Sequence, residues 1–181
     1  PKVDVSIIVA DLSDKGATVK AAHIITSGSN RVNVLVNNVG VYAEDTIYTA
    51  RAEDINASMN VNFFSAFNLW SELYHVIESG DAIINICSVL SHDIRKEAFS
   101  YTLAKQSLHT FGRFLQNSLR DKGVRVSNIL PGSVNTSSWD GIDAPVEEFV
   151  QPSDIATAIE SLLDSKGWVE ELVIRPLKPG Y

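Results

Sequence analysis

Ala82-Ile83-Ile84-Asn85-Ile86-Cys87-Ser88 is the stretch on which the fold turns. It is short, apolar on both faces and closed by a serine. A strand of that kind needs cover above and below, which a parallel sheet under helices provides. Upstream, residues 52–77 place Phe63, Phe67, Trp70 and Tyr74 at helix spacing, with Gly80 as the stop. Downstream, residues 99–119 carry Leu103, Leu108, Phe111 and Leu115 on one apolar side. Val124-Arg125-Val126-Ser127-Asn128-Ile129-Leu130 then reads as a strand stopped by Pro131-Gly132.

The pattern continues outward. Val32-Asn33-Val34-Leu35-Val36 reads as a strand before the polar turn Asn37-Asn38-Val39-Gly40. Val5-Ser6-Ile7-Ile8-Val9-Ala10 reads as another, ending at Asp11, and residues 14–28 read as a helix with Val19, Ala22 and His23 on one face. After a polar loop over 133–152, residues 153–163 read as a helix with Ser153 as N-cap, and 171–175 as a last strand. Strands alternating with helices predict one parallel three-layer α/β domain over residues 1–181, without repeats or low-complexity tracts.

Composition narrows the function. The 181 residues are 45% hydrophobic, enough for one sizeable core, and carry a net charge of −7. Without a Lys/Arg cluster, nucleic acid and anionic membrane are not expected partners. No apolar run reaches the roughly 18 residues of a membrane span, and the start lacks a signal-peptide pattern, so the expected location is cytoplasmic. The lone Cys87 excludes an intrachain disulfide and reads as an inert core thiol. His23, His75, His92 and His109 fall on separate elements without ligand spacing, so no metal site is expected. His92 reads as a solvent-facing loop residue.

The chemistry starts from Tyr101-Thr102-Leu103-Ala104-Lys105, which puts a phenol and an ammonium on one helix face. A fixed cation favours the phenolate and brings proton transfer closer to working pH. Ser88 stands at the carboxyl end of a strand, where open α/β sheets hold ligands, and can donate to a carbonyl oxygen. Each feature alone is ordinary: a surface pair, and a turn or cap serine.

In combination they resemble the short-chain dehydrogenase/reductase family. Asn37-Asn38-Val39-Gly40 resembles its Asn-Asn-Ala-Gly turn, and Asn60-Val61-Asn62-Phe63-Phe64-Ser65 the helix bearing its catalytic asparagine, with Ser65 where glycine is usual. Asn85-Ile86-Cys87-Ser88 resembles the segment ending in its catalytic serine, and the 13-residue interval from Ser88 to Tyr101 is the family's. Pro131-Gly132-Ser133-Val134-Asn135-Thr136 resembles its cofactor-contacting motif, and Asp11 the aspartate near the adenine.

The resemblance implies a Rossmann-like fold, a nicotinamide cofactor and a catalytic tetrad of Asn62, Ser88, Tyr101 and Lys105. Asn62 would hold a water in a proton relay to Lys105, and Lys105 would also bind the nicotinamide ribose. Cofactor contacts would come from Asp11, Asn38, Gly40, Tyr101, Lys105, Pro131, Gly132 and Thr136. The substrate would be a small carbonyl or alcohol. The ending Leu172-Val173-Ile174-Arg175-Pro176-Leu177 resembles NADP-dependent members and favours NADP over NAD. The stripe Phe63, Phe67, Trp70 and Tyr74 would serve the core or a homodimer or homotetramer interface, and Trp139 would sit in the loop that closes over substrate.

A glycine-rich phosphate turn is missing from this sequence. The resemblance begins at the family's third strand, and about 60 residues, two strands and two helices with that turn between them, have no counterpart here. The expectation is therefore an N-terminally incomplete member of the family. In the family's strand order the missing pair would lie between segments 5–10 and 32–36. A non-catalytic remnant acting as an interaction module is the competing reading.

Overall fold

The computed structural model describes residues 3–178. Its helices are α1 (Lys15–Gly28), α2 (Ala52–Met59), α3 (Ser65–Leu73), α4 (Phe99–Leu119) and α5 (Pro152–Asp164). The strands β1 (Val34–Asn37), β2 (Ala82–Ile86), β3 (Arg125–Pro131) and β4 (Glu171–Ile174) form one parallel sheet in the order β1-β2-β3-β4. This is the expected Rossmann-like α/β arrangement. The helices α1, α3 and α4 enclose a core of Ala22, Leu35, Leu73, Ile83, Leu115 and Val126 on one face. On the other, α5 packs Ile155 against Ile84, Ile129 and Val150. That second layer does not reach β1, whose Val34 and Val36 each remain 39% exposed.

Residues 5–10 do not form the expected strand. They run without regular structure, and Val5, Ile7 and Val9 are 78%, 84% and 95% exposed. β-Branched side chains give a segment strand propensity, but a strand exists only by pairing with a neighbour. Among the described residues no strand pairs with the outer edge of β1, and this segment has no partner in the sheet.

Smaller differences have local causes. The Asp14 carboxylate caps α1 by accepting from the Ala17 N–H at 2.7 Å. The helical phase then buries Thr18, Ala21 and Ala22 and leaves His23 outside. Gln151, not Ser153, caps α5: Pro152 takes the first turn, and the Gln151 N–H donates to Asp154 Oδ2 at 2.8 Å. β3 also runs through Pro131, which pairs with Ile174. The α2–α3 stretch is continuous but contains a π-helical segment, Asn60–Phe64.

Three buried asparagines cross the sheet in register, Asn37 beside Asn85 and Asn85 beside Asn128. Asn37 Nδ2 donates to Asn85 Oδ1 (2.8 Å), Asn85 Nδ2 to Asn128 Oδ1 (2.9 Å), and Asn128 Nδ2 to the His109 carbonyl of α4 (3.3 Å). Only Asn37 Oδ1, at the β1 end, has no partner among these. The row satisfies polar groups that would otherwise be costly to bury.

Candidate active site

The carboxyl ends of β1, β2 and β3 open into a cleft of about 1040 Å³, bounded on one side by α4. Open parallel sheets hold ligands at this end because the chain leaves each strand there in a loop. Ser88 stands two residues beyond β2, and its Oγ accepts from the Leu90 N–H at 3.2 Å, opening a 3₁₀ turn over Val89–Ser91. Tyr101 and Lys105 lie one turn apart on the face of α4 that lines the same cleft. Tyr101 and Ser88 face each other across it, near enough that the serine hydroxyl favours the ionised phenol. Lys105 Nζ donates to the Ile86 carbonyl at 2.9 Å and sits 5.7 Å from the centroid of the Tyr101 ring.

Burial governs the protonation of both groups. Burial pushes the Tyr101 phenol up to about 12, against the Ser88 hydroxyl, with Cys87 and Tyr42 adding to the rise. Burial likewise drives Lys105 down to about 8, opposed by Cys87. Desolvation is thus the largest influence on the Tyr101 phenol. Tyr42, which packs edge-on against Tyr101 at 5.3 Å between centroids, gives no signal in the sequence.

Asn62 lies in the π-helical segment and is 1% exposed. Its Oδ1 accepts from the Val41 N–H at 3.0 Å, while Nδ2 donates to the Val41 and Ser58 carbonyls at 3.0 and 3.1 Å. The side chain thus clamps the turn after β1. Gly40 in that turn has no room for a side chain: a Cβ would come within 2.9 Å of Asn62 Oδ1 and 3.0 Å of Lys105 Nζ. A flat ligand can approach that backbone closely, beside an ammonium able to donate to hydroxyls. Asn38, Gly40, Lys105, Pro131, Gly132 and Thr136 all line the cleft and fit the ribose–nicotinamide half of a dinucleotide.

Asp11 does not join them. It lies exposed on the irregular N-terminal segment and accepts from the Ser13 N–H (2.9 Å) and hydroxyl (2.6 Å), which hold its carboxyl below the usual range. Trp139 does line the cleft, with its indole N–H donating to the Val134 carbonyl at 3.0 Å and its ring against Phe149. His92 and His109, on separate elements in the sequence, are brought together with Glu171 outside the cleft.

Residues 2–146 match the short chain dehydrogenase family. Over 155 residues the chain is 28% identical to the diacetyl reductase [(S)-acetoin forming] of Staphylococcus epidermidis, covering 84% of this chain and 60% of that protein. It is 28% identical over 179 residues to the acetoacetyl-CoA reductase of Allochromatium vinosum, covering 92% and 73%. Among solved structures, a short chain dehydrogenase from Burkholderia cenocepacia in complex with NADP superposes with a TM-score of 0.83 at 22% identity, covering 93% of this chain and 74% of that one. A dehydrogenase/reductase from Sinorhizobium meliloti gives 0.82 at 25% identity, covering 91% and 71%. The chain thus spans about 60% of the length of the reductase from Staphylococcus.

Proposed function

This chain belongs to the short chain dehydrogenase family, and on that premise we propose that its cleft reduces a small carbonyl compound with a nicotinamide cofactor, NADP in preference to NAD. The observation that carries the reading is the convergence of Ser88, Tyr101 and Lys105 on one cleft. The bound nicotinamide supplies the hydride. As negative charge develops on the substrate oxygen, Ser88 donates a hydrogen bond to it and the Tyr101 hydroxyl transfers its proton. The phenol carries its proton at working pH, as the acid role requires, and Ser88 favours the phenolate left after transfer. Lys105, beside the Tyr101 ring and with its own value near 8, exchanges protons at working pH and binds the ribose hydroxyls. Asn62 is a positioning residue: by clamping Val41 it fixes the Gly40 backbone against which the ribose packs, and it would hold the water of a proton relay to Lys105.

Asn38, Gly40, Pro131, Gly132 and Thr136 complete the cofactor-binding set; for Asp11 only the resemblance of sequence speaks. Relatives named as diacetyl and acetoacetyl-CoA reductases, and a fold relative crystallised with NADP, support the substrate class and the cofactor. The intact cleft also weighs against a non-catalytic remnant. No helix among the described residues is long and apolar enough to cross a membrane, and we place the protein in the cytoplasm. Phe64, Phe67 and Phe114, respectively 39%, 40% and 69% exposed, support a homodimer or homotetramer formed through this helical face; light scattering that gives a monomer at micromolar concentration would remove that assignment.

Tyr101→Phe tests the chemistry, because it removes the proton donor and little volume. With NADPH and diacetyl or acetoacetyl-CoA, kcat should fall about 100-fold or more while cofactor affinity is retained. Unchanged turnover in the folded variant would exclude Tyr101 as the acid. No carbonyl-dependent NADPH or NADH oxidation by the unaltered chain would overturn the reductase reading.

A further inference from the structure

The geometry points to a second site, a Zn²⁺ site formed by His92, His109 and Glu171. None of the three lines the cleft, and none has a part in the carbonyl chemistry. They come from three elements: His92 just after the 3₁₀ turn that follows Ser88, His109 one turn beyond Lys105 on α4, and Glu171 at the start of β4. One ligand atom from each lies within 4.8 Å of the other two. His92 Nε2 is 3.2 Å from Glu171 Oε1, and His109 Nε2 is 2.7 Å from Oε2.

Zinc bonds to imidazole and carboxylate of about 2.0–2.2 Å in a tetrahedron set neighbouring ligand atoms roughly 3.4 Å apart. The His92–Glu171 separation already meets that spacing. The His109–Glu171 separation must open by about 0.7 Å, which side-chain rotation supplies. Two imidazoles and one carboxylate are a donor set that suits zinc and leaves a fourth position for water. Exposure agrees: the His109 side chain is 10% exposed, whereas Glu171 and His92 are 35% and 46% exposed and open that position to solvent.

The surrounding charge also suits a cation. The nearby Arg175 is paired with Asp93 at 2.7 Å. Asn128 Nδ2 holds the His109 backbone carbonyl, which fixes this part of the helix. Zinc here would tie the turn bearing Ser88 to the helix bearing Tyr101 and Lys105, and both to β4. Ser91 Oγ already makes a lighter tie of the same kind, donating to the Lys105 carbonyl at 3.1 Å.

The competing occupant of the triad is simply protons, with both rings donating to Glu171. Calorimetric titration of ZnCl₂ into the metal-stripped 181-residue chain at about pH 7.5 separates the two. One Zn²⁺ per chain with a micromolar or lower Kd is expected, and Co²⁺ in its place should show the visible absorption of a four-coordinate centre. His92→Ala leaves the His109–Glu171 pair intact and should weaken binding at least tenfold and abolish the cobalt bands. Glu171→Gln should do the same, while His23→Ala and His75→Ala should change neither. Failure to bind Zn²⁺ at about 100 μM, or equal affinity in His92→Ala, would overturn the site and leave the carbonyl chemistry untouched.

Discussion

Gly112→Ala sets two well-characterised effects against each other. In the interior of a helix, alanine is favoured over glycine by about 1 kcal/mol, so propensity alone makes the substitution stabilising. Gly112 faces the β3 end of the asparagine row, where a Cβ would come within 2.1 Å of Asn128 Oδ1 and 2.7 Å of its Nδ2. Asn128 is fully buried and cannot swing into solvent. If it moves, it gives up the bond accepted from Asn85 and the bond donated to the His109 carbonyl. Each buried group left without a partner costs about 1–3 kcal/mol, so the two together cost roughly 2–6. Less the gain in helix propensity, Gly112→Ala should destabilise the chain by about 1–5 kcal/mol. Urea denaturation of both proteins measures this directly. In an Asn128→Ala background the clash is removed, and the same substitution should become neutral or stabilising. A single variant as stable as the parent, or more so, would refute the view that Gly112 is there to admit the Asn128 amide.

Burial leads to two further outcomes. Lys105 is 3% exposed, and its value of about 8 lies well below that of a solvated lysine, so the folded state holds its proton less tightly than the unfolded chain. The parent should therefore gain stability as pH rises from about 8 to 10.5, and Lys105→Met should stabilise the chain at pH 7 by up to about 3 kcal/mol while removing activity; a stability difference that does not shrink over that pH range would contradict the assignment. Cys87 is 2% exposed and its thiol is pushed up to about 12 by burial, against the pull of Lys105. It should resist a thiol-specific disulfide reagent in the native chain and react promptly in urea, whereas prompt native labelling would mean that the β2 end opens readily.

The sequence is most legible where local pattern and tertiary demand agree. The apolar side of residues 99–119 and the apolar run 82–87 each have one place to go, and α4 and β2 appear there. The Tyr101–Lys105 spacing likewise survives because a helix fixes it. Residues 5–10 fail for the opposite reason: their pattern describes a strand, but a strand depends on a neighbour that the local sequence does not report. The burial around Tyr101 is likewise not legible, because spacing shows the cation but not the packing. The asparagine row and the His92–His109–Glu171 group are illegible because their members meet only through β2–β3 and β3–β4 pairing, across 43 residues from Asn85 to Asn128 and 62 from His109 to Glu171.

The π-helical segment Asn60–Phe64 acts as a phase adjuster. Here the Ser65 N–H reaches back to the Asn60 carbonyl, five residues away instead of four. One residue turns an α-helix by about 100°, so this widened turn inserts that rotation between the helical turns of α2 and those of α3. The helix can thereby point Asn62 at the turn after β1 and still bring Ala66 and Leu73 onto the core. An unbroken α-helix of the same sequence would satisfy one of those two demands and miss the other. The coupling runs both ways: deleting one residue between 60 and 64 would tidy the helix, yet would force a choice between a packed interior and an aligned cleft. Such a deletion should therefore be far more damaging than its effect on helix content suggests.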